Sequence, residues 1–365
     1  MAYACLIAYV AVLFIRPQDW VWWLAGVPIL DFVVGVALIT WLGSLARSKW
    51  RPHDAPQNWL MLGLLLAVLM SHVRHTYFGA FVTAFRQFGK VVLLYFLIAS
   101  LVTSVRRARL LVLTMVVGCV FMAVHGILQW HTGAGFGGAL PLYRQELVRV
   151  RAFGMFHDPN DLALILVAIL PFLFSTTLNR ESAMPARTLS VLATLPILYC
   201  IYLTNSRGGW LALGVMAAAY AYVRMPNKKL AAALAVVPLV AVCYFGPSRM
   251  GLLSAREGGA RGRVIAWGDG NRMLKQYPLF GVGKGRFMEF ADHGRVAHNS
   301  FVQCWADLGL FGYFFWLGLV IASLKDGRAM SKVTEEDPDA QETRRLSTAA
   351  MASLVGYLAA SFFLS

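Results

Sequence analysis

An all-α, polytopic transmembrane bundle with one large outer loop is the fold class this sequence predicts, and three observations predict it. Of 365 residues, 58% are hydrophobic and only 14% charged, where a soluble domain carries about 25% charged residues. The mean hydropathy is +0.61. Apolar runs of membrane-crossing length recur, separated by short charged loops, as spanning helices require.

Eleven spans are expected, over residues 1–15, 27–46, 58–73, 88–104, 109–130, 160–178, 188–204, 208–223, 229–246, 299–323 and 346–365. The first is read as a retained span, because no basic segment precedes it and no small-residue cleavage site follows. The whole chain, 1–365, is expected to form a single integral membrane domain with the long segment 247–297 as a loop within it. Cys5, Cys119, Cys200, Cys243 and Cys304 fall in or beside apolar stretches without C-x-x-C spacing. They are read as small packing residues, not as disulfides or metal ligands.

The net charge of +15 is explained by its placement across the membrane; nucleic acid is not an expected partner. With an inward N-terminus, every inward loop is basic: Arg47, Lys49 and Arg51; Arg106, Arg107 and Arg109; Arg180 and Arg187; Arg224, Lys228 and Lys229; then Lys325, Arg328, Lys332, Arg344 and Arg345. The bias of short inner loops toward Lys and Arg sets this orientation. Nine more cations lie outside, in 247–297: Arg249, Arg256, Arg261, Arg263, Arg272, Lys275, Lys284, Arg286 and Arg295. The bias weakens for long loops, so these need a reason of their own: solubility, or an anionic ligand such as lipid-borne phosphates. Within this loop Ala260 to Tyr277 is helical in pattern and stops before Pro278, and Gly281-Val282-Gly283-Lys284-Gly285 is a tight connection. No strand precedes those glycines, so they are not a nucleotide-binding fingerprint.

Four polar clusters fall at outer ends of spans. In Arg151 to Asp161, Asp158-Pro159-Asn160 is a turn and helix start that Asp158 or Asn160 can cap, while Arg151 has no capping role. Asn205-Ser206-Arg207-Gly208-Gly209 puts an arginine in a short hairpin between apolar runs, where a charge marks a site or snorkels to headgroups. Arg263 precedes Trp267 by one turn in the basic loop, and His298-Asn299 stands at the entrance to the tenth span.

The chemistry these residues allow is narrow. No G-x-S-x-G nucleophile elbow, no H-E-x-x-H and no D-x-D occurs at the outer face. Several arginines and one histidine suit a displacement with a diphosphate leaving group, the guanidinium forks taking the place of a metal. The histidine can take the proton of an acceptor hydroxyl, and surrounding positive charge favours its neutral, basic form.

These segments resemble the O-antigen ligase and polymerase superfamily. His298-Asn299, nine residues, Gly309, two residues and Gly312 fit the family's H-[N/S/Q]-x9-G-x-x-[G/T/Y] pattern. Arg151-x-x-Gly154-x-Phe156-x-x-Pro159-Asn160 is similar to its R-x-x-G-x-F-x-x-P-N segment, and Ser206-Arg207-Gly208 to its S-R-G segment. Arg263-x3-Trp267 followed by Pro278-x2-Gly281-Val282-Gly283 is similar to its loop helix and turn. Arg16-Pro17-Gln18-Asp19-Trp20 and Asp158 to Asp161 resemble a subgroup, the exosortase-associated O-glycosylation ligases.

The resemblance implies a glycan donor on undecaprenyl diphosphate, transferred at the periplasmic face of a bacterial inner membrane without metal, nucleotide or other cofactor. It implies His298 as the acceptor-activating base and Arg263 beside it in catalysis, Arg151 and Arg207 as diphosphate ligands, and Asn160 and Asn299 as supporting polar groups. The acceptor would be lipid A-core or a protein hydroxyl. The family usually has about twelve spans, and this chain stops at Leu364-Ser365 inside the eleventh, so a truncated sequence or a missing span is expected. A polymerase of the same superfamily, a protein O-glycosyltransferase and, from another class, a lipid or polysaccharide transporter stay open. A transporter would carry mid-membrane charges on broken helices, and here the candidates are Asp31, Arg86 or Lys90 near a span end, and Asp307.

Overall fold

A computed structural model of the chain describes residues 1–45, 50–73, 78–144, 147–225, 227, 258–292, 294–333 and 337–364. The expected ninth span, 229–246, the loop start 247–257 with Arg249 and Arg256, and Arg47, Lys49, Lys228, Lys229 and Cys243 lie outside the described residues. The chain is almost wholly helical: α1 (Ala2–Ile15), α2 (Ile29–Leu45), α3 (Pro56–Val73), α4 (Phe78–Leu101), α5 (Val105–Thr132), α6 (Pro159–Thr177), α7 (Met184–Leu203) and α8 (Arg207–Arg224), then α9 (Gly258–Gln276), α10 (Phe287–Phe290), α11 (Ser300–Met330) and α12 (Pro338–Leu364). A small hairpin, β1 (Leu142–Arg144) and β2 (Leu147–Arg149), is antiparallel with Leu142 opposite Arg149. Among the described residues, seven helices are long and apolar enough to cross a membrane.

The chain divides into two compact units. The first comprises Met1–Leu42, Val102–Gly251 and Gly327–Ala360, the second Gly43–Leu101, Leu252–Asp326 and Ser361–Ser365.

In the first unit α5 packs on α1, α6 and α7, and α6 packs on α7 and α8. Leu162, Leu166, Ile169 and Leu170 of α6, spaced by three or four residues, are fully enclosed between α7's Ile197 and Ile201 and the rest of the bundle. The helix starts are capped as their sequences dictate: the side chains of Ser104, Asp158 and Ser206 accept the backbone N–H groups of Arg107, Asn160 and Gly209. Asp158, not Asn160, is thus the cap of α6. That helix has 19 residues, about 28 Å of rise against a hydrocarbon thickness of about 30 Å.

The two ends of this unit differ. At one, Tyr3 bonds the Arg107 carbonyl, Arg109 pairs with Glu342, and Arg345 reaches the Ser175 carbonyl. The loops expected on one side of the membrane are therefore together. At the other end lie Arg16, Gly154 and the α7–α8 turn, with the Arg16 guanidinium resting on Gly154, whose φ of 55° leaves no room for a side chain.

In the second unit α3, α4 and α11 share a core of Leu64, Val68, Ala84 and Leu308. The loop helix α9 contributes Ala266 and Met273 to a second core with Val282, Phe287, Ala297, Val302 and Ala306. α11 is broken at Gly309 (φ 64°, ψ −169°). The loop after α9 repairs the break. Val282 and Gly283 donate to the carbonyls of Ala306 and Asp307 at 2.9 and 3.0 Å, while Leu310 and Phe311 donate to those of Pro278 and Leu279 at 2.8 and 3.1 Å. Irregular backbone at membrane depth is tolerated where protein satisfies its polar groups in this way. Gly309 and Gly281 are required because a Cβ on either would run into the other segment's backbone.

Most element bounds match the sequence reading within a few residues. α4 departs most. It begins at Phe78, ten residues before the expected 88, because helix formation continues through Arg86, Gln87 and Lys90 although the apolar run does not. Arg86 and Lys90 therefore sit on one exposed face in mid-helix, not near an end. Likewise α12 begins at Pro338, eight residues before its apolar part, on a charged turn.

Candidate functional site

Arg151, Asn160 and Arg207 belong to the first unit, and Arg263, His298 and Asn299 to the second.

In the first unit a knot of hydrogen bonds ties three segments that are distant in sequence. Asn160, in the first turn of α6, accepts through Oδ1 from the Arg149 guanidinium at 2.8 Å and from the Ser206 hydroxyl at 3.0 Å. Arg149, only 4% exposed, also donates from Nε to the Thr204 carbonyl at 2.9 Å. Asn205, at a φ of 50°, donates its amide to the Val148 carbonyl at 3.0 Å. The β2 strand is thereby sewn to the α7–α8 turn. Gly209 completes the fit, since a Cβ there would press to 2.7 Å from that of Ala163 on α6.

This knot fixes the two arginines singled out in the sequence. Arg207 is the first residue of α8, directly after its cap Ser206, so its charge adds to the positive end of the helix dipole. Arg151 follows the buried Arg149 by two residues. Its backbone N–H donates to Gln129, its Nε to the Leu140 carbonyl at 3.0 Å, and its Nη1 lies 2.8 Å from His157 Nε2. Both arginines are half-buried. Arg151 bonds a backbone carbonyl and an imidazole and, among these contacts, no carboxylate, an arrangement that suits recognition of an anion.

In the second unit His298 is exposed and Asn299 buried. Asn299 Oδ1 accepts from the backbone N–H groups of Phe301 and Val302 at 2.9 and 3.2 Å, capping α11. His298, just before it, has a φ of 49°, a left-handed conformation that costs a non-glycine residue about 1–2 kcal/mol. The turn displays the imidazole at the mouth of α11. Trp267 of α9 latches this junction, its indole donating to the Ala297 carbonyl at 3.0 Å. Arg263, half-buried one turn earlier on α9, is carried by the same helix. Arg272, paired within α9 to Asp269 at 3.1 Å, fastens that helix to the end of α10 through the Phe290 carbonyl and to Asp292 just after it.

Asp307, placed two turns into α11, holds the repair loop. It accepts from the Gly285 N–H at 2.9 Å and stands 3.9 Å from Lys284 Nζ, while Lys284's own N–H donates to Ser71. It is a structural carboxylate of the helix break. Among the described residues no group of three or more His, Cys, Asp or Glu is arranged to hold a metal ion.

Sequence reasoning missed Arg149. The available signal was its setting, a charged residue inside Leu147-Val148-Arg149-Val150 next to a span, where only a paired and buried arginine is stable.

No curated protein matches the chain. Residues 191–317 match the O-antigen ligase family model. That stretch runs from within α7 to α11 and contains Arg207, Arg263, His298, Asn299 and the broken-helix glycines; Arg151 and Asn160 precede it. The described residues thus combine helices long and apolar enough to cross a membrane, as in a multi-pass membrane protein, with a segment, 191–317, that is similar to the O-antigen ligase family.

Proposed function

We propose that the chain is a glycan ligase that transfers an oligo- or polysaccharide from undecaprenyl diphosphate to an acceptor hydroxyl, on lipid A-core or on a protein, at the periplasmic face of the inner membrane. The hydroxyl oxygen attacks the anomeric carbon while its proton passes to His298. The bond from that carbon to the diphosphate oxygen breaks, and the anomeric configuration inverts. Arg151, Arg207 and Arg263 stabilise charge growing on the leaving diphosphate, a stabilisation that counts only where it is stronger in the transition state than in the ground state. Asn160 and Asn299 support them, one by binding Ser206 and Arg149, the other by capping α11 behind His298.

The observation that carries the reading is the hydrogen-bonded knot of the first unit. It brings the Arg151 and Arg207 segments, separated by 56 positions, onto the shared carboxamide of Asn160 and leaves both guanidinium groups half-buried at a helix-end surface.

The test is a reconstituted reaction with purified lipid-linked donor and candidate acceptors. His298→Ala is expected to lower transfer by about 10²–10⁴-fold, the span of general-base catalysis, with an unchanged thermal unfolding profile; near-normal transfer would remove His298 from the mechanism. Chelation by EDTA is expected to leave the rate unaltered, and a strict requirement for Mg²⁺ would overturn the metal-free displacement. Products lengthened by repeat units would assign the chain to the polymerase branch.

A further inference from the structure

At the opposite end of the first unit from Arg151 and Arg207, a cavity of about 640 Å³ opens between α5 and α7 under the first turns of α12. Its size falls in the range of small-molecule sites. Its walls are two helical stripes, Val112, Leu113 and Val116 on α5 and Ala186, Leu189 and Ala193 on α7. The spacing of three and four residues makes each stripe one continuous apolar face. Leu113 and Leu189 are 56% and 66% exposed, so the groove is open along its length and not filled by the protein's own side chains.

The mouth of the groove is charged. Arg109 and Arg345 share one carboxylate, with Glu342 accepting from Arg109 Nε at 2.9 Å and from Arg345 Nη1 at 2.6 Å. Arg345 is committed further, to the Ser175 carbonyl and Ser182. Arg109 is not: its side chain is 57% exposed, and among the described residues Glu342 is its only partner. The triad therefore presents one net positive charge, delivered by the outer nitrogens of Arg109. Glu181, on the same lining and exposed, has a side chain without a partner among the described residues. A cation and an anion, both available, stand over one apolar groove at a helix-end level.

We propose that this cavity binds a zwitterionic glycerophospholipid of the phosphatidylethanolamine class, its phosphate on Arg109, its ammonium near Glu181 and an acyl chain along the α5–α7 groove. Charge complementarity selects the headgroup: an anionic lipid would be attracted by Arg109 but repelled by Glu181, whereas an ethanolamine headgroup satisfies both. Basic pockets between spanning helices are known to take lipid headgroups, and the apolar stripe adds the hydrophobic share of the binding. The site is separate from the glycan-transfer residues and does not depend on their assigned roles.

The test is photo-crosslinking of the full chain in liposomes with a phosphatidylethanolamine that carries a diazirine on its acyl chain, followed by peptide mapping. Labelling is expected on residues 112–116 and 186–193. Unlabelled phosphatidylethanolamine should compete it away, and phosphatidylglycerol should not. Glu181→Gln combined with Arg109→Gln should reduce it about a hundredfold, the loss of two charge-assisted contacts at about tenfold each. Leu189→Trp, which fills the groove and leaves both charges in place, should abolish it. Labelling spread evenly over all helices, undiminished labelling in either variant, or equal competition by phosphatidylglycerol would overturn the proposal. Competition by soluble glycerophosphoethanolamine as strong as by the intact lipid would show a phosphate site instead of a lipid site, and would overturn it as well.

Discussion

The two sets of candidate catalytic residues are built on different physical grounds. In the first unit the cations rest on a buried polar network: Arg149 is enclosed, and Asn160, Thr204, Asn205 and Ser206 receive or supply its neighbours' hydrogen bonds. In the second unit the candidate histidine is displayed, not enclosed. His298 is exposed in a left-handed turn, and what lies buried behind it is a helix cap and a broken helix repaired by backbone pairing. The difference teaches that a buried arginine needs polar partners to be tolerated and placed, whereas an exposed histidine can be positioned by a rigid backbone alone.

The sharpest way to break this comparison is at the backbone of the second unit. Gly309→Ala puts a Cβ against the Leu279 carbonyl in a conformation that side chains avoid. We expect a loss of about 3 kcal/mol or more, read as a fall in thermal midpoint in detergent. Gly268→Ala in α9, where a Cβ meets nothing within 4 Å, is the control and should stabilise by about 0.5–1 kcal/mol. Equal behaviour of the two variants would mean that the helix break is not what supports His298.

Arg149→Met tests the first unit. It keeps volume but leaves Asn160 Oδ1 with only Ser206 and the Thr204 carbonyl without its side-chain donor. The expected cost is about 2–3 kcal/mol, the penalty for polar groups left buried without partners. Because the knot positions Arg151 and Arg207, transfer should fall more than stability implies, and chiefly in kcat. A variant with wild-type transfer would show that the knot is dispensable scaffolding. Next in size is Asn299→Ala, which removes the α11 cap at about 1 kcal/mol, while Asn299→Asp should be close to neutral.

Local pattern carried most of this architecture and little of its tertiary logic. The loop helix was legible as 260–277 and is Gly258–Gln276, and the Asp158-Pro159 start of α6 follows from its own residues. So does the tight turn at Gly281 to Gly285. Why that turn has its glycines was not legible, since the reason is a pairing with Ala306 and Asp307, more than twenty residues away. The β1–β2 hairpin is too short to leave an alternating signature. Asp307 looked like a possible transport residue and is explained by the Gly285 N–H and Lys284 beside it. Arg149 was passed over because apolar neighbours hide a buried arginine as easily as they would a lipid-facing one; only its partners distinguish the two. The segments of the candidate residues, and Asn160 and Asn299 as supporting groups, were legible; Arg149, which ties the first of those segments together, was not.

The smallest effect sharpens the contrast between an arginine whose partners are enclosed and one whose partner faces solvent. Arg286 and Glu289, one turn apart at α10, form an ion pair in which Glu289 is more than half exposed. The hydrogen bond from Arg286 holds the Glu289 carboxyl below its ordinary value. A carboxyl lowered in the folded state adds stability above its unfolded pKa, and that contribution is lost as pH falls through the lowered value. Solvent screening keeps it small, so Glu289→Gln should cost no more than about 0.5 kcal/mol at neutral pH, less at high salt, and nothing in acid once the wild-type carboxyl is protonated. Arg149→Met should instead lose the bonds to the Asn160 carboxamide and the Thr204 carbonyl at every pH, because neither group titrates. A Glu289→Gln loss as large as that of Arg149→Met would mean that the burial of their partners is not what separates the two arginines, and the distinction between a scaffolded and a displayed half would fail.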